Sequence, residues 1–211
     1  IAPFVVRAIG PREARRWFLT AERFGAEEAR RIGLVHEVVP ADRLEERGAA
    51  MVADLLKAHD IPVIISPVLT LPLRREDPYD ATYANPGKLH AAGVRFCIAN
   101  DGASAEMGTM ADRNLPYQAA KAAAYGLPPA EALKAVTLYP AQILGVAAEL
   151  GSLEVGKRAT LIVTDGDPLE ATTQVEQAYI DGAMIDLSNR HTRLRDKYQK
   201  RYEQLKGRAG L

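Results

Sequence analysis

Apolar positions recur along this chain with two periods, and they divide it into strands, helices and polar connections. In Val94-Arg95-Phe96-Cys97-Ile98-Ala99, the Val, Phe and Ile alternate with Arg, Cys and Ala, which predicts a strand. It stops at Asn100-Asp101-Gly102-Ala103-Ser104, a turn-forming cluster. Ile61–Ile65 is an apolar run that predicts a short buried strand, and Leu34–Val39 predicts another, ended by Pro40. Leu161–Val163 and Val175–Ile180 predict two more, the second turning at Asp181-Gly182.

Helical spacing appears in between. Leu44, Gly48, Met51, Val52, Leu55 and Leu56 form one stripe of a helix over Asp42–Ala58. Pro11 suits the first turn of a helix running to Leu19, and Ala26–Ile32 is a short helix closed by Gly33. Asn85-Pro86-Gly87 starts a helix at Lys88–Ala92. Asn114 is a suitable N-cap for Leu115–Tyr125, which Gly126 stops. Pro128-Pro129 opens a helix to Val136, and Pro140 opens one to Leu144. From Ser188 the tail is helical and basic, with Tyr198, Tyr202 and Leu205 as its packing side. Ser66–Asp80 and Asp101–Asp112 are loops.

The order from Gly93 to Leu169 is strand, polar loop with a carboxylate, helices, glycine-bounded turn, strand. An α/β enzyme presents an acidic residue in this way, at the C-terminal end of a strand. Composition narrows the class further. A hydrophobic fraction of 47% is enough for a packed core, and a formal net charge of zero argues against nucleic acid as a partner. No apolar run approaches the roughly 18 residues of a membrane span. The single cysteine, Cys97, permits no disulfide within the chain, which fits a reducing, cytoplasmic setting. The opening Ile1-Ala2-Pro3-Phe4 has no signal-type core and no initiator methionine, and reads as the middle of something.

Four pieces in fixed order resemble the amidohydrolase superfamily, of the imidazolonepropionase-like kind, over about residues 61–202. They are Gly93-Val94-Arg95-Phe96; Arg113–Tyr117 with Ala123–Leu127; Val136–Ala141 with Leu144-Gly145; and Gly151–Lys157 with Asp165–Leu169. The resemblance implies an α/β fold: a partial TIM barrel of β/α units over 57–150, a small β extension over 151–187 and a basic helix over 188–211. It also implies metal-dependent hydrolysis of C–N bonds in amides or cyclic amides, with a small molecule as substrate and zinc or another divalent ion as cofactor. In that family a carboxylate at the end of the last barrel strand binds metal and handles the proton of the attacking water. Asp101 is the residue that matches it. Thr160 and Tyr139 stand where aspartate and asparagine are usual, and are expected to weaken the local turns.

Residues 1–56 resemble the C-terminal helical part of a crotonase, an enoyl-CoA hydratase/isomerase. Ile1–Gly10, Phe18–Phe24 and Ala29–Pro40 carry that likeness. Crotonases polarise a thioester with backbone N–H groups and use carboxylates as acid and base, elements that lie upstream of this segment. A seam between the two likenesses is expected near residues 53–58.

Asp101 has a plain alternative as a turn aspartate in an Asn-Asp-Gly corner. An amidohydrolase site needs several ligands at once, including a His-x-His pair. This chain has none, and its four histidines, His36, His59, His90 and His191, are scattered. One carboxylate without convergent imidazoles does not make a zinc site. Asp165-Gly166-Asp167 lacks the oxygen ligands of a calcium loop and reads as a turn. Three functions stand: an amidohydrolase, expected to be inactive as this isolated chain; a crotonase-related acyl-CoA protein; and a non-catalytic composite. Open strand edges make a homo-oligomer an expectation in each case.

Overall fold

A computed structural model describes residues 2–72, 74–100 and 112–209. The chain divides into two compact units, Ile1–Leu55 and Leu56–Leu211.

The first unit is helical. Helix α1 (Ala2–Thr20) breaks at Gly10, whose φ of 79° and ψ of 160° leave the helical region, and Pro11 restarts it with its φ already set. Helix α2 (Ala26–Arg31) ends in the pair of bonds that a left-handed glycine permits: Gly33 N–H to the Arg30 carbonyl and Leu34 N–H to the Ala29 carbonyl. The strand expected at Leu34–Val39 is absent: Leu34 to His36 form bends, and Glu37 to Val39 are irregular. A short apolar run does not make a strand without a ladder partner, and no strand lies among the described residues of this unit. Helix α3 (Leu44–Ala58) runs across the boundary between the units, preceded by a 3₁₀ turn at Ala41–Arg43. Its apolar stripe is not buried: Leu44, Met51, Val52 and Leu55 are all exposed.

The second unit holds a two-stranded parallel sheet and a three-stranded antiparallel one. Strand β1 (Val63–Ile65) pairs with β2 (Phe96–Ile98), Val63 opposite Phe96 and Ile65 opposite Ile98. A parallel pair needs a crossover, and helix α4 (Ala81–Ala91) supplies it, giving one βαβ unit. The helix is longer than expected and carries Pro86 inside it, where Asn-Pro-Gly was expected to start it. Pro86 is fully buried, and Gly87 lies so close to the Gly126–Leu127 backbone that an added Cβ would stand 3.1 Å from the Gly126 carbonyl carbon. Packing thus overrides the local preference of that tripeptide to break a helix.

Three further helices follow: α5 (Leu115–Ala124), α6 (Pro129–Val136) and α7 (Leu138–Ile143). Asn114 makes no side-chain capping bond; it closes a 3₁₀ turn at Asp112–Asn114 instead. Helix α7 begins two residues before Pro140, which sits in the first turn, where no N–H is needed. Ala119 and Ala122 of α5 and Ala132 and Ala135 of α6 are completely buried, their small side chains letting the helices approach. They join Val68, Phe96, Ile98, Leu127 and Leu169 in the core. Lys121 lies over the rings of both Tyr83 and Tyr125, at 4.6 and 4.8 Å, and so ties α5 to α4.

The antiparallel sheet is β3 (Leu161–Thr164), β4 (Val175–Ile180) and β5 (Ala183–Met184). Asp181 and Gly182, both at positive φ, turn β4 into β5. Thr160 does not weaken this corner: its hydroxyl accepts the Asp181 N–H at 3.2 Å. Arg158 Nε donates to the Asp181 carboxylate at 2.6 Å. Helix α8 (Arg190–Ala209) starts at Asn189, whose Oδ1 accepts the N–H groups of His191 and Thr192. Tyr198, Tyr202 and Leu205, expected to pack, are exposed.

Candidate functional site

Because β1 and β2 are parallel, their C-terminal ends lie on the same side, here the mouth. Ala99 N–H donates to the Ile65 carbonyl at 2.9 Å, the last rung of the ladder. Beyond it, β1 continues through a cis Ser66–Pro67 bond to Val68, which is fully buried, and Leu69. β2 continues to Asn100. Asp101, the carboxylate singled out in the sequence, lies outside the described residues.

Gln118 of α5 joins the two loops. Its Oε1 accepts the Leu69 N–H at 2.6 Å, and its Nε2 donates to Asn100 Oδ1 at 3.4 Å. The side chain is 4% exposed, and it is the buried polar residue of the described structure. Gln118 is not among the candidates singled out from the sequence. The signal was present: Leu115, Gln118, Ala119 and Ala122 follow the spacing of one helix face, so a polar residue stands at a core position.

A second feature lies at the opposite end of β2. A cleft of about 260 Å³ is lined by His90, Val94, Arg95, Phe96, Tyr139 and Ile143, among others. Tyr139 donates a very short hydrogen bond to Glu131 Oε2, and Lys134 Nζ lies 2.8 Å from Glu131 Oε1. Burial, and then the bond to Glu131, push the Tyr139 phenol up to about 12. The contribution of this phenol to stability is complete below its ordinary value of 10 and lost as pH rises toward 12. A spectrophotometric titration should therefore show a late phenolate step near pH 12 that is missing in Tyr139→Phe. Tyr139 thus contributes a tertiary contact where an N-cap was expected to be lost.

The histidines do not converge. His36, His59, His90 and His191 are all exposed, and His90 lies at the cleft by the N-terminal end of β2, away from the mouth. No group of three or more His, Cys, Asp or Glu side chains placed to hold a metal ion occurs among the described residues. Cys97 is buried, which raises its thiol pKa and keeps it protonated. In the Asp165-Gly166-Asp167 turn both carboxylates accept backbone N–H groups, from Gln174 and Leu169, so the turn reading holds.

The profile of the amidohydrolase family matches residues 22–206. The chain belongs to the amidohydrolase family. Among relatives of this amidohydrolase chain, imidazolonepropionase of Sphingopyxis alaskensis is 29% identical over 159 residues, 74% of this chain and 37% of that protein. An N-substituted formamide deformylase of Arthrobacter pascens is 43% identical over 60 residues, 26% of this chain and 11% of that protein. In structure, an amidohydrolase of Thermotoga maritima superposes with a TM-score of 0.54 at 31% identity, over 66% of this chain and 35% of that one. The chain therefore spans well under half the length of each of these relatives.

The α/β fold expected from the sequence is the observed one, and its structural likeness is to part of the amidohydrolase TIM barrel. The family match begins at residue 22, well inside the segment that resembled a crotonase, and none of these relatives is a crotonase. It also crosses the boundary at Leu55–Leu56 between the two units. No described helix is long and apolar enough to cross a membrane.

Proposed function

We propose that this amidohydrolase chain supplies a closing part of a barrel that hydrolyses C–N bonds in amides or cyclic amides. Asp101 is the carboxylate that takes the proton of the attacking water. The observation that carries this reading is the match over residues 22–206, combined with a parallel β1–β2 pair that delivers Asn100, the residue before Asp101, to the mouth. The name of one relative, a deformylase of N-substituted formamides, is consistent with the same class of bond.

The family resemblance implies zinc or another divalent ion. The described residues do not fit one: they gather no metal-holding cluster, and the four histidines are dispersed. On this reading hydrolysis requires imidazole ligands that the described residues do not bring together, and the isolated chain is expected to be inactive without them. The crotonase and non-catalytic readings have no observation in their favour.

The test is an assay of amine release from N-formyl and N-acyl amines and from cyclic amides, with zinc added, for wild type and Asp101→Ala. Loss of a general base costs on the order of a hundredfold to ten-thousandfold in rate, so any metal-dependent hydrolysis present in wild type should fall by that factor. Measurable metal-dependent rates that are equal in the two proteins would remove Asp101 from the mechanism.

A further inference from the structure

We infer that helix α8 lies on anionic phospholipid membranes through the stripe formed by Leu194, Tyr198, Tyr202 and Leu205. The inference is independent of the hydrolase reading. The four residues stand at i, i+4, i+8 and i+11, which puts them on one face of the helix, with His191 at its N-terminal end. They are 37%, 47%, 62% and 47% exposed. From Arg190 to Lys206 only Thr192 is even half-buried, so the stripe is open to a partner along its length.

Charge is arranged around that stripe. The helix carries eight Arg and Lys against Asp196 and Glu203, whereas the whole chain has a formal net charge of zero, so the remainder is acidic. Helical spacing puts Arg195 beside the stripe on one flank and Arg201 on the other, with Asp196 and Glu203 on the far side. Arg195 pairs with Asp196, while Lys197, Lys200, Arg201 and Lys206 have no ion-pair partner among the described residues. An apolar stripe with cations beside it and acids behind it is complementary to a surface that is negative on top and apolar beneath. An anionic bilayer is such a surface. The two tyrosines favour lipid over a groove in a partner protein. A phenol hydroxyl buried in a groove needs a partner of its own, whereas at the headgroup level the ring is covered and the hydroxyl stays in water. A nucleic-acid duplex would give the leucines nothing to bury against. The helix is not long and apolar enough to cross a membrane, so it lies in the plane of the surface.

The test is flotation of the full chain with phosphatidylglycerol vesicles and with phosphatidylcholine vesicles at physiological ionic strength. Partition to phosphatidylglycerol should exceed that to phosphatidylcholine by about tenfold or more, and fall as salt is added. Two double variants of equal net charge locate the contact. Arg195→Gln with Arg201→Gln removes the cations beside the stripe and should weaken binding about tenfold or more. Arg193→Gln with Lys200→Gln removes cations on the far side. A helix is about 10 Å across, roughly one Debye length, so this pair should cost about threefold or less. Tyr198→Gln with Leu205→Gln leaves the charge alone and should also weaken binding about tenfold or more. Every substituted side chain is exposed and glutamine is a good helix former, so circular dichroism should be unchanged in all three.

No flotation with phosphatidylglycerol vesicles would overturn the inference. Equal losses in the two charge variants would do so as well, since bulk attraction without a defined face gives that result. Full binding by the Tyr198→Gln, Leu205→Gln variant would remove the stripe from the contact. Retention of the chain on immobilised polyglutamate, with no binding to vesicles, would assign the face to an acidic protein instead.

Discussion

Replacing Gly151 by alanine is expected to destabilise the Leu56–Leu211 unit by about 2–5 kcal/mol. Two effects combine. The residue sits at a φ of +94°, a conformation that L side chains rarely adopt. An added Cβ would also stand 2.7 Å from the Ala141 Cβ, 3.0 Å from the Thr137 carbonyl oxygen and 3.1 Å from the Leu138 Cα. Two of these three atoms are backbone, so relief requires α7 to move. Gly156 provides the control. Its φ is +96°, yet nothing lies within 4 Å of its would-be Cβ. Gly156→Ala should therefore cost only the conformational part, about 1–3 kcal/mol. Urea melts of the two variants should differ, with Gly151→Ala clearly less stable. Equal midpoints would mean that the close approach at Gly151 is not present in solution.

Leu127→Ala is expected to cost about 2–5 kcal/mol. Leu127 is 1% exposed, the largest fully buried side chain of the core, among Val68, Phe96, Ile98 and the buried alanines. Its neighbours have little volume to give back, since Ala119, Ala122, Ala132 and Ala135 are already small. The cavity would stay open, which places the cost toward the upper part of that range. Leu127→Met keeps the volume and should lose less than about 1.5 kcal/mol. A thermal or urea melt that found the two variants alike would show that the site collapses freely. The backbone N–H of Leu127 also closes α5 on the Ala122 carbonyl, at 3.1 Å, so the same residue ends one helix and fills the core.

What the sequence made legible follows from where local and tertiary forces agree. The apolar runs at Val63–Ile65 and Phe96–Ile98 became strands because they pair with each other; Phe96–Ile98 is buried, whereas Ile64 is exposed, so the burial expected for the first run is only partial. Gly33 and the Asp181-Gly182 corner were readable because a positive φ is a backbone requirement that few residues meet. Leu34–Val39 had apolar, β-branched residues suited to a strand, but among the described residues of its unit there is no strand to accept its hydrogen bonds. Asn85-Pro86-Gly87 has the composition of a break. It lies inside α4 because Pro86 is buried and Gly87 is pressed against Gly126, contacts to residues some forty positions away that no local pattern reports.

The apolar faces of α3 and α8 show the reverse error. Periodicity located the faces, Leu44 to Leu55 on one and Tyr198 to Leu205 on the other, but burial needs a partner surface, and both remain exposed. The mouth was legible in part. The strand and its terminal Asn100-Asp101 could be found from alternation and turn chemistry. Gln118 could be found only by asking why a polar residue interrupts an apolar stripe. The identity of the family rests on the ordered set of glycine, proline and aspartate positions through the C-terminal part of the chain, and the profile match over residues 22–206 extends it further upstream.

The central claim is that Asp101 is one carboxylate of a hydrolase site whose imidazole ligands these 211 residues do not assemble. The most direct measurement is the metal content of the purified chain, by plasma mass spectrometry, referred to protein concentration before and after incubation with zinc and desalting. Far less than one retained ion per chain, the same in wild type and Asp101→Ala, is the predicted result. About one ion per chain in wild type, lost in Asp101→Ala, would contradict it: Asp101 and histidines of this chain would then form a complete metal site on their own.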